Sequence, residues 1–168
     1  NNDENAIIFK SENGYKNNLS WKNLNSNVAK ISTWMRENGV KKADRVAAYL
    51  PNIPETVVAY ISTSALGAIW SSCSPDFGTN AVIDRFSQIS PKILFIGDKY
   101  FYNGKKINIL ERLPEILKKI PSIEKVVVVV YPGTEIIKDQ NIEAKKYNWN
   151  KIVSTKNENK IEYTLLNF

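Results

Sequence analysis

Val126–Tyr131 is a run of five valines closed by a tyrosine, and few folds can hold it. With an apolar side chain at nearly every position there is no polar face to turn to water. Such a segment fits a strand buried on both faces of a parallel sheet. Parallel strands need crossover connections, usually helices. The rest of the sequence supplies them.

Ala6–Ser11 reads as a short apolar strand, the pair Asn13-Gly14 as a turn, and Tyr15–Leu19 as its antiparallel return. Ser20 stands as an N-cap before a helix to about Asn38, with Leu24, Val28, Ile31 and Met35 on one face and Gly39 closing it. Val46–Leu50 is the next strand. Pro54 suits the first position of a helix that runs to about Leu66 and stops at Gly67. Ala68–Cys73 is a strand and Ser74–Gly78 a loop. Thr79 or Asn80 is expected to cap a helix to about Ile89, with Val82, Phe86 and Ile89 facing inward. After Pro91 come the strand Ile93–Ile96 and a hairpin over Tyr100–Ile107 around Asn103-Gly104. A helical stretch over Ile109–Ile120 follows, which Pro114 either kinks or delays. Beyond Gly133 the pattern weakens. Asn148–Val153 is expected as a short helix, 157–159 as a loop and 161–166 as a last strand. Alternating strands and helices predict an α/β fold with a doubly wound, mostly parallel sheet. At 168 residues it makes one domain of ordinary size, without internal repeats or linkers.

Composition narrows the chemistry. There is no histidine, one cysteine (Cys73) and one methionine (Met35). Ser-His-Asp triads, Cys-His dyads, histidine zinc sites and an intrachain disulfide are therefore excluded within these residues. A lone cysteine fits a reducing compartment, and a cytoplasmic location is expected. Lys plus Arg is 23 against 17 for Asp plus Glu, a net charge of +6. Nineteen of those cations are Lys, scattered singly or in pairs, and only four are Arg. That pattern reads as a solvated surface, with no nucleic-acid partner expected. Between Glu55 and Asp76 lie 20 uncharged residues, the length of a membrane span. Seven Ser or Thr residues, Gly67 and Pro75 interrupt it, so it reads as a buried helix, a glycine stop and a buried strand. No membrane partner is expected.

Ligands of doubly wound sheets sit past the carboxyl ends of the strands. The glycines fall at 14, 39, 67, 78, 97, 104 and 133, which permits neither G-x-G-x-x-G nor a P-loop. The loop of interest is Ser71–Gly78 (SSCSPDFG), which leaves a strand and enters a helix N-terminus. It can cradle an anion there, or its hydroxyls can simply satisfy its own backbone. Cys73 reads as a small buried residue, because no histidine is present to activate it. Arg85 can hold a phosphate, or pair with Asp84 or another carboxylate; the ion pair is slightly favoured. Trp70 is core filler or a pocket wall. Tyr100, Tyr102, Lys105 and Lys106 gather on the hairpin, where they form cross-strand pairs or a platform for a base and its phosphate.

Four stretches together resemble the adenylate-forming acyl-CoA synthetases: Gly39–Asn52 (GVKKADRVAAYLPN), Ala65–Gly78 (ALGAIWSSCSPDFG), Val82–Phe86 (VIDRF) and Ile89–Phe95 (ISPKILF). The resemblance runs from about Ala6 to Phe168 and is thin between Thr134 and Lys160. Acetyl-activating members carry a His where Trp70 stands and a Gly-Gly pair where Pro75-Asp76 stands. The segment WSSCSPDFG instead is similar to the branch that activates acetoacetate. The resemblance implies an acid–thiol ligase using acetoacetate, ATP and CoA, with Mg assisting, to give an acyl-CoA, AMP and pyrophosphate. It implies that 1–168 is a partial N-terminal AMP-binding domain ending just before the ATP-phosphate loop, its partner being the remainder of its own chain. The starting residue, Asn1, agrees with a piece of something longer. By itself this stretch is then expected to be inactive, with no catalytic and no metal-binding residues and no tightly bound cofactor. The resemblance places Ser74, Pro75 and Asp76 along the CoA site, and Tyr102 and Lys105 at the CoA nucleotide, where relatives use arginines. Ala43 departs from the family's usual glycine in the turn before a strand, a strained substitution if that turn needs positive φ. The other readings are a ligase for another short-chain acid, acetyl- or propionyl-CoA synthetase-like, and a non-catalytic α/β binding module.

Overall fold

The structure, a computed structural model, describes residues 2–135, 146–156, 161 and 163. Strands β1 (Asn5–Lys10) and β2 (Lys16–Ser20) form an antiparallel hairpin ahead of α1 (Trp21–Glu37). The Ser20 side chain accepts the Asn23 N–H and so caps α1. Next come β3 (Arg45–Tyr49), α2 (Pro54–Ala65), β4 (Ile69–Cys73), α3 (Thr79–Ser87) and β5 (Ile93–Gly97). A second hairpin, β6 (Lys99–Tyr102) and β7 (Lys105–Asn108), leads through a 3₁₀ turn (Leu110–Arg112) into α4 (Leu113–Lys119). Then follow β8 (Lys125–Val129), β9 (Lys146–Asn148) and α5 (Trp149–Thr155).

Five strands form one sheet in the order β4-β3-β5-β8-β9, every neighbouring pair parallel. The chain steps from β3 out to β4, then crosses back over β3 to β5 and continues the other way. The winding therefore reverses between β3 and β5, the switch point at which such sheets bind ligands. Side-chain alternation shows the two layers. Trp70 of β4 and Phe95 of β5 point to the face that holds α1, α2 and α5; their rings meet Tyr60 of α2 and Trp149 of α5 at centroid distances of 6.0 and 6.1 Å. Cys73 and Tyr49 point to the other face, toward α3 and the 3₁₀ turn. The core strands are fully enclosed: Val46, Ala47, Ala48, Leu94, Phe95, Val126 and Val127 are all at 0% exposure.

The doubly wound parallel sheet expected from the sequence is present. The uncharged stretch after Glu55 is indeed a helix, a glycine turn and a strand, and no helix among the described residues is long and apolar enough to cross a membrane. Pro114 delays its helix: a 3₁₀ turn precedes it, and the proline sits in the first turn of α4, where no amide is needed. Two expectations change. Gly78, not Thr79 or Asn80, holds the N-cap position of α3, with extended backbone (φ −67°, ψ 162°) and no side chain to cap the first turn. Strand β9 was not expected; its three residues carry no apolar alternation, and parallel pairing with β8 holds them. The expected loop at 157–159, and residues 162 and 164–166 of the expected last strand, lie outside the described residues.

Candidate functional site at the carboxyl end of the sheet

Three segments leave the carboxyl end of the sheet side by side: the turn 50–52 after β3, the loop 74–78 after β4, and the hairpin 99–108 after β5. The switch point itself is filled by protein. A Cβ built on Gly97 would stand 3.2 Å from Ile109, 3.3 Å from Pro51 and 3.7 Å from Leu50. An open cleft of about 230 Å³ lies beside it, between Leu50, Pro51, Asn52 and Thr56 on one wall and Ser72, Cys73 and Ser74 on the other.

The loop is a tight turn whose side chains bond each other. Ser74 Oγ donates to Asp76 Oδ2 at 2.9 Å, and the Phe77 N–H donates to the Ser74 carbonyl at 3.1 Å. Ser74 and Asp76 are exposed, whereas Pro75 is buried. The loop is clamped from beneath. Tyr49 Oη donates to the Phe77 carbonyl at 2.6 Å, with the Pro75 carbonyl at 3.3 Å. Arg112 Nη1 donates to the Pro75 and Phe77 carbonyls, both at 3.1 Å, and to Tyr49 Oη. The guanidinium also lies 5.8 Å from the Tyr49 ring centroid. Burial pushes the Tyr49 phenol up, against the opposing pull of Arg112, so it stays a neutral donor.

The hairpin carries Tyr102 and Lys105 as directly paired residues. Asn103 (φ 50°) and Gly104 (φ 72°) both take the left-handed conformation that a two-residue hairpin turn demands. Tyr102 is 64% exposed and Lys105 and Lys106 are exposed, so a ring and two cations stand free at the hairpin tip. Tyr100 stands on the hairpin; burial raises its phenol first, and the negative charge of Asp76 on the loop raises it further. All five residues expected at the site, Ser74, Pro75, Asp76, Tyr102 and Lys105, thus fall on two segments at one end of the sheet, and Arg112 at the foot of the hairpin donates to the loop.

Cys73 is 3% exposed and burial raises its thiol, as expected of a packed residue and not a nucleophile. Arg85 makes neither the expected pair with Asp84 nor one with another carboxylate among the salt bridges of the described residues. Its guanidinium lies 5.3 Å from the Phe77 ring centroid and opposes the rise of the Cys73 thiol. Asp84 is the residue just before Arg85 on the helix, and neighbouring helix positions do not face each other. Trp70 is a half-buried member of the ring row described above, a packing role. Tyr49 and Arg112 escaped the sequence reading. The one signal was scarcity: Arg112 is one of four arginines in a lysine-rich chain. No group of three or more Cys, Asp or Glu residues converges as a metal site among the described residues.

Comparison with known proteins agrees with this fold. The family model described as "AMP-binding enzyme" matches residues 1–164. The acetoacetyl-coenzyme A synthetase of Rhizobium meliloti (strain 1021) is 41% identical over 128 residues, covering 76% of this chain and 19% of that protein. The acetoacetyl-CoA synthetase of Gallus gallus is 48% identical over 113 residues, covering 67% of this chain and 17% of the other. The solved structure of the acetoacetyl-CoA synthetase from Streptomyces lividans superposes with a TM-score of 0.86 at 33% identity, over 96% of this chain and 24% of that one. The chain thus spans less than a fifth of the length of the curated relatives it matches.

Proposed function

The chain belongs to the AMP-binding enzyme family, and from that premise we propose that it is part of the large N-terminal domain of an acid–CoA ligase whose acid is acetoacetate. The reaction has two halves. A carboxylate oxygen of the acid attacks the α-phosphorus of ATP, pyrophosphate leaves, and an acyl-adenylate forms. The CoA thiol then loses its proton to water as its sulfur bonds to the acyl carbon, the bond from that carbon to the phosphate oxygen breaks, and AMP leaves with the electron pair. Magnesium assists the first half in this chemistry.

The segments at the carboxyl end of the sheet serve the second half in this reading. Tyr102 offers an exposed ring for the adenine of CoA, and Lys105 a point charge for its phosphate. Ser74 and Asp76 form the exposed rim past which the pantetheine arm runs, and Pro75 supports that rim from within. The observation that carries the reading is the tie between the loop and the foot of the hairpin, where Arg112 donates to the Pro75 and Phe77 carbonyls at 3.1 Å each. Two segments held together in this way can serve one nucleotide. The choice of acid rests on the loop WSSCSPDFG and on relatives named for acetoacetyl-CoA. The malonamoyl-CoA synthetase of Penicillium aethiopicum, 37% identical over 124 residues, keeps other small acids in the comparison.

The test is made on the full-length protein that carries this chain. Acyl-CoA and AMP are quantified chromatographically with acetoacetate, acetate, propionate and malonamate in turn. The expected outcome is product from acetoacetate well ahead of the other three. An enzyme that releases no AMP with any of the acids, in the presence of ATP and CoA, removes the ligase reading.

A further inference from the structure

Arg112 spans the two halves of the candidate site. It sits on the 3₁₀ turn at the foot of the hairpin, yet its side chain donates to the other side: to the Pro75 and Phe77 carbonyls at 3.1 Å each, and to Tyr49 Oη. Tyr49 passes the bond on to the Phe77 carbonyl at 2.6 Å. Two backbone carbonyls of one loop and one phenol oxygen thus converge on a single guanidinium nitrogen, and the group is half-buried. A guanidinium fixes acceptors in one plane, and a bond donated by a charged group is about twice as strong as a neutral one. With the Tyr49 ring beside it, the cation has a fixed place, and so do the carbonyls it holds. Between those carbonyls lies Asp76, whose carboxylate accepts from Ser74 Oγ at 2.9 Å, so the held backbone also sets the rim of the loop.

We propose that Arg112 is a positioning residue for the CoA half-reaction: with Tyr49 it sets the Ser74–Phe77 loop against the hairpin and so determines how tightly the enzyme holds CoA. This rests on the reading of the site given above. In it Arg112 touches no substrate; its effect passes through the loop.

The experiment measures KM for CoA, dephospho-CoA and ATP in the full-length enzyme and its Arg112→Ala, Arg112→Lys and Tyr49→Phe variants. A displaced loop is expected to raise KM for CoA roughly tenfold in Arg112→Ala, the scale on which loss of positioning acts. Lys keeps the charge but not the fork, so Arg112→Lys is expected to recover part of that loss. Tyr49→Phe is expected to move KM in the same direction by less. KM for ATP stays within about twofold in each variant, a split that a general loss of structure does not give. Dephospho-CoA is expected to suffer the same fold-change as CoA. A penalty seen with CoA alone makes Arg112 a direct phosphate ligand and overturns the positioning role. Equal rises for CoA and ATP, or no rise in any soluble variant, overturn it too. If neither Arg112 variant yields folded protein, the residue is structural and the proposal falls. A wild-type enzyme that forms no CoA product defeats the functional reading instead, before any variant is compared.

Discussion

Asp98 and Lys99 are the most deeply enclosed charges described, the Asp98 side chain at 0% and the Lys99 side chain at 5% exposure. They stand where β5 ends and the hairpin begins. Lys99 Nζ lies 2.9 Å from Asp98 Oδ2 and donates to Thr134 Oγ1 at 2.9 Å and to the Glu135 carbonyl. Asp98 Oδ1 accepts the Tyr131 N–H at 2.9 Å. The pair ties the start of the hairpin to the segment that follows β8. Its net worth against two apolar residues is small, but removing one partner strands the other charge out of water. Lys99→Met keeps most of the buried stem and deletes the cation. It is expected to destabilise the fold by about 3–5 kcal/mol, read from denaturant midpoints at constant slope. A change below about 1 kcal/mol would mean that water reaches Asp98 readily. Ala43 shows a residue-level strain that the sequence already announced. The turn before β3 does need a left-handed residue, and Ala43 takes it at φ 68°, a cost of about 1–2 kcal/mol relative to an ordinary conformation.

At the scale of elements, the two hairpins differ in what anchors them, and their glycines expose the difference. Gly104 at the tip of β6–β7 has positive φ and open space around it. Gly133 follows β8, also at positive φ (73°), but a Cβ there would overlap the Tyr15 ring. Tyr15 introduces β2, so Gly133 is the seat on which the first hairpin rests. Gly104→Ala is expected to cost about 1 kcal/mol, the conformational term alone. Gly133→Ala adds an overlap that only movement of Tyr15 relieves, for a total of about 2–4 kcal/mol. Equal losses in thermal unfolding of the two variants would show that the first hairpin yields freely. What was legible in the sequence follows the same division. The Ser20 cap, the Asn103-Gly104 turn and the late start at Pro114 are local chemistry, and each is where its residue type puts it. Strand β9 was not legible, because three half-exposed residues owe their conformation to a neighbouring strand. The Tyr49–Arg112 clamp was not legible either: its members are 63 residues apart, and nothing in either neighbourhood announces the other. The site loop could be pointed to in the sequence, but what holds it could not.

For the molecule as a whole, strand order decides where stability resides. β3, β5 and β8 each have a hydrogen-bonded neighbour on both sides. The side chains of Val46–Tyr49, Ile93–Ile96 and Val126–Val129 are between 0% and 4% exposed. β4 is the outer strand of the described sheet, with Ile69 at 52% exposure, and β1 and β2 form a separate sheet whose Ile8 is 67% exposed. A lone two-stranded sheet is marginal in water, so this hairpin persists by docking on α1 and on the Gly133 turn. Opening it exposes little of the core, whereas freeing a β5 amide requires breaking the sheet through its middle. Hydrogen exchange should therefore resolve at least two levels in the native protein. Amides of β3, β5 and β8 are expected to exchange only through global unfolding, with protection that falls as denaturant is added. Those of β1 and β2 are expected to exchange at least about 100-fold faster, a difference of about 2.7 kcal/mol, and with little denaturant dependence. The Gly133→Ala variant should widen that gap by weakening the hairpin alone. If β1 and β5 instead exchange at one rate with one denaturant slope, the first hairpin is part of the cooperative core. The two-level picture, and with it the separate anchoring of the hairpin at Gly133, would then be wrong.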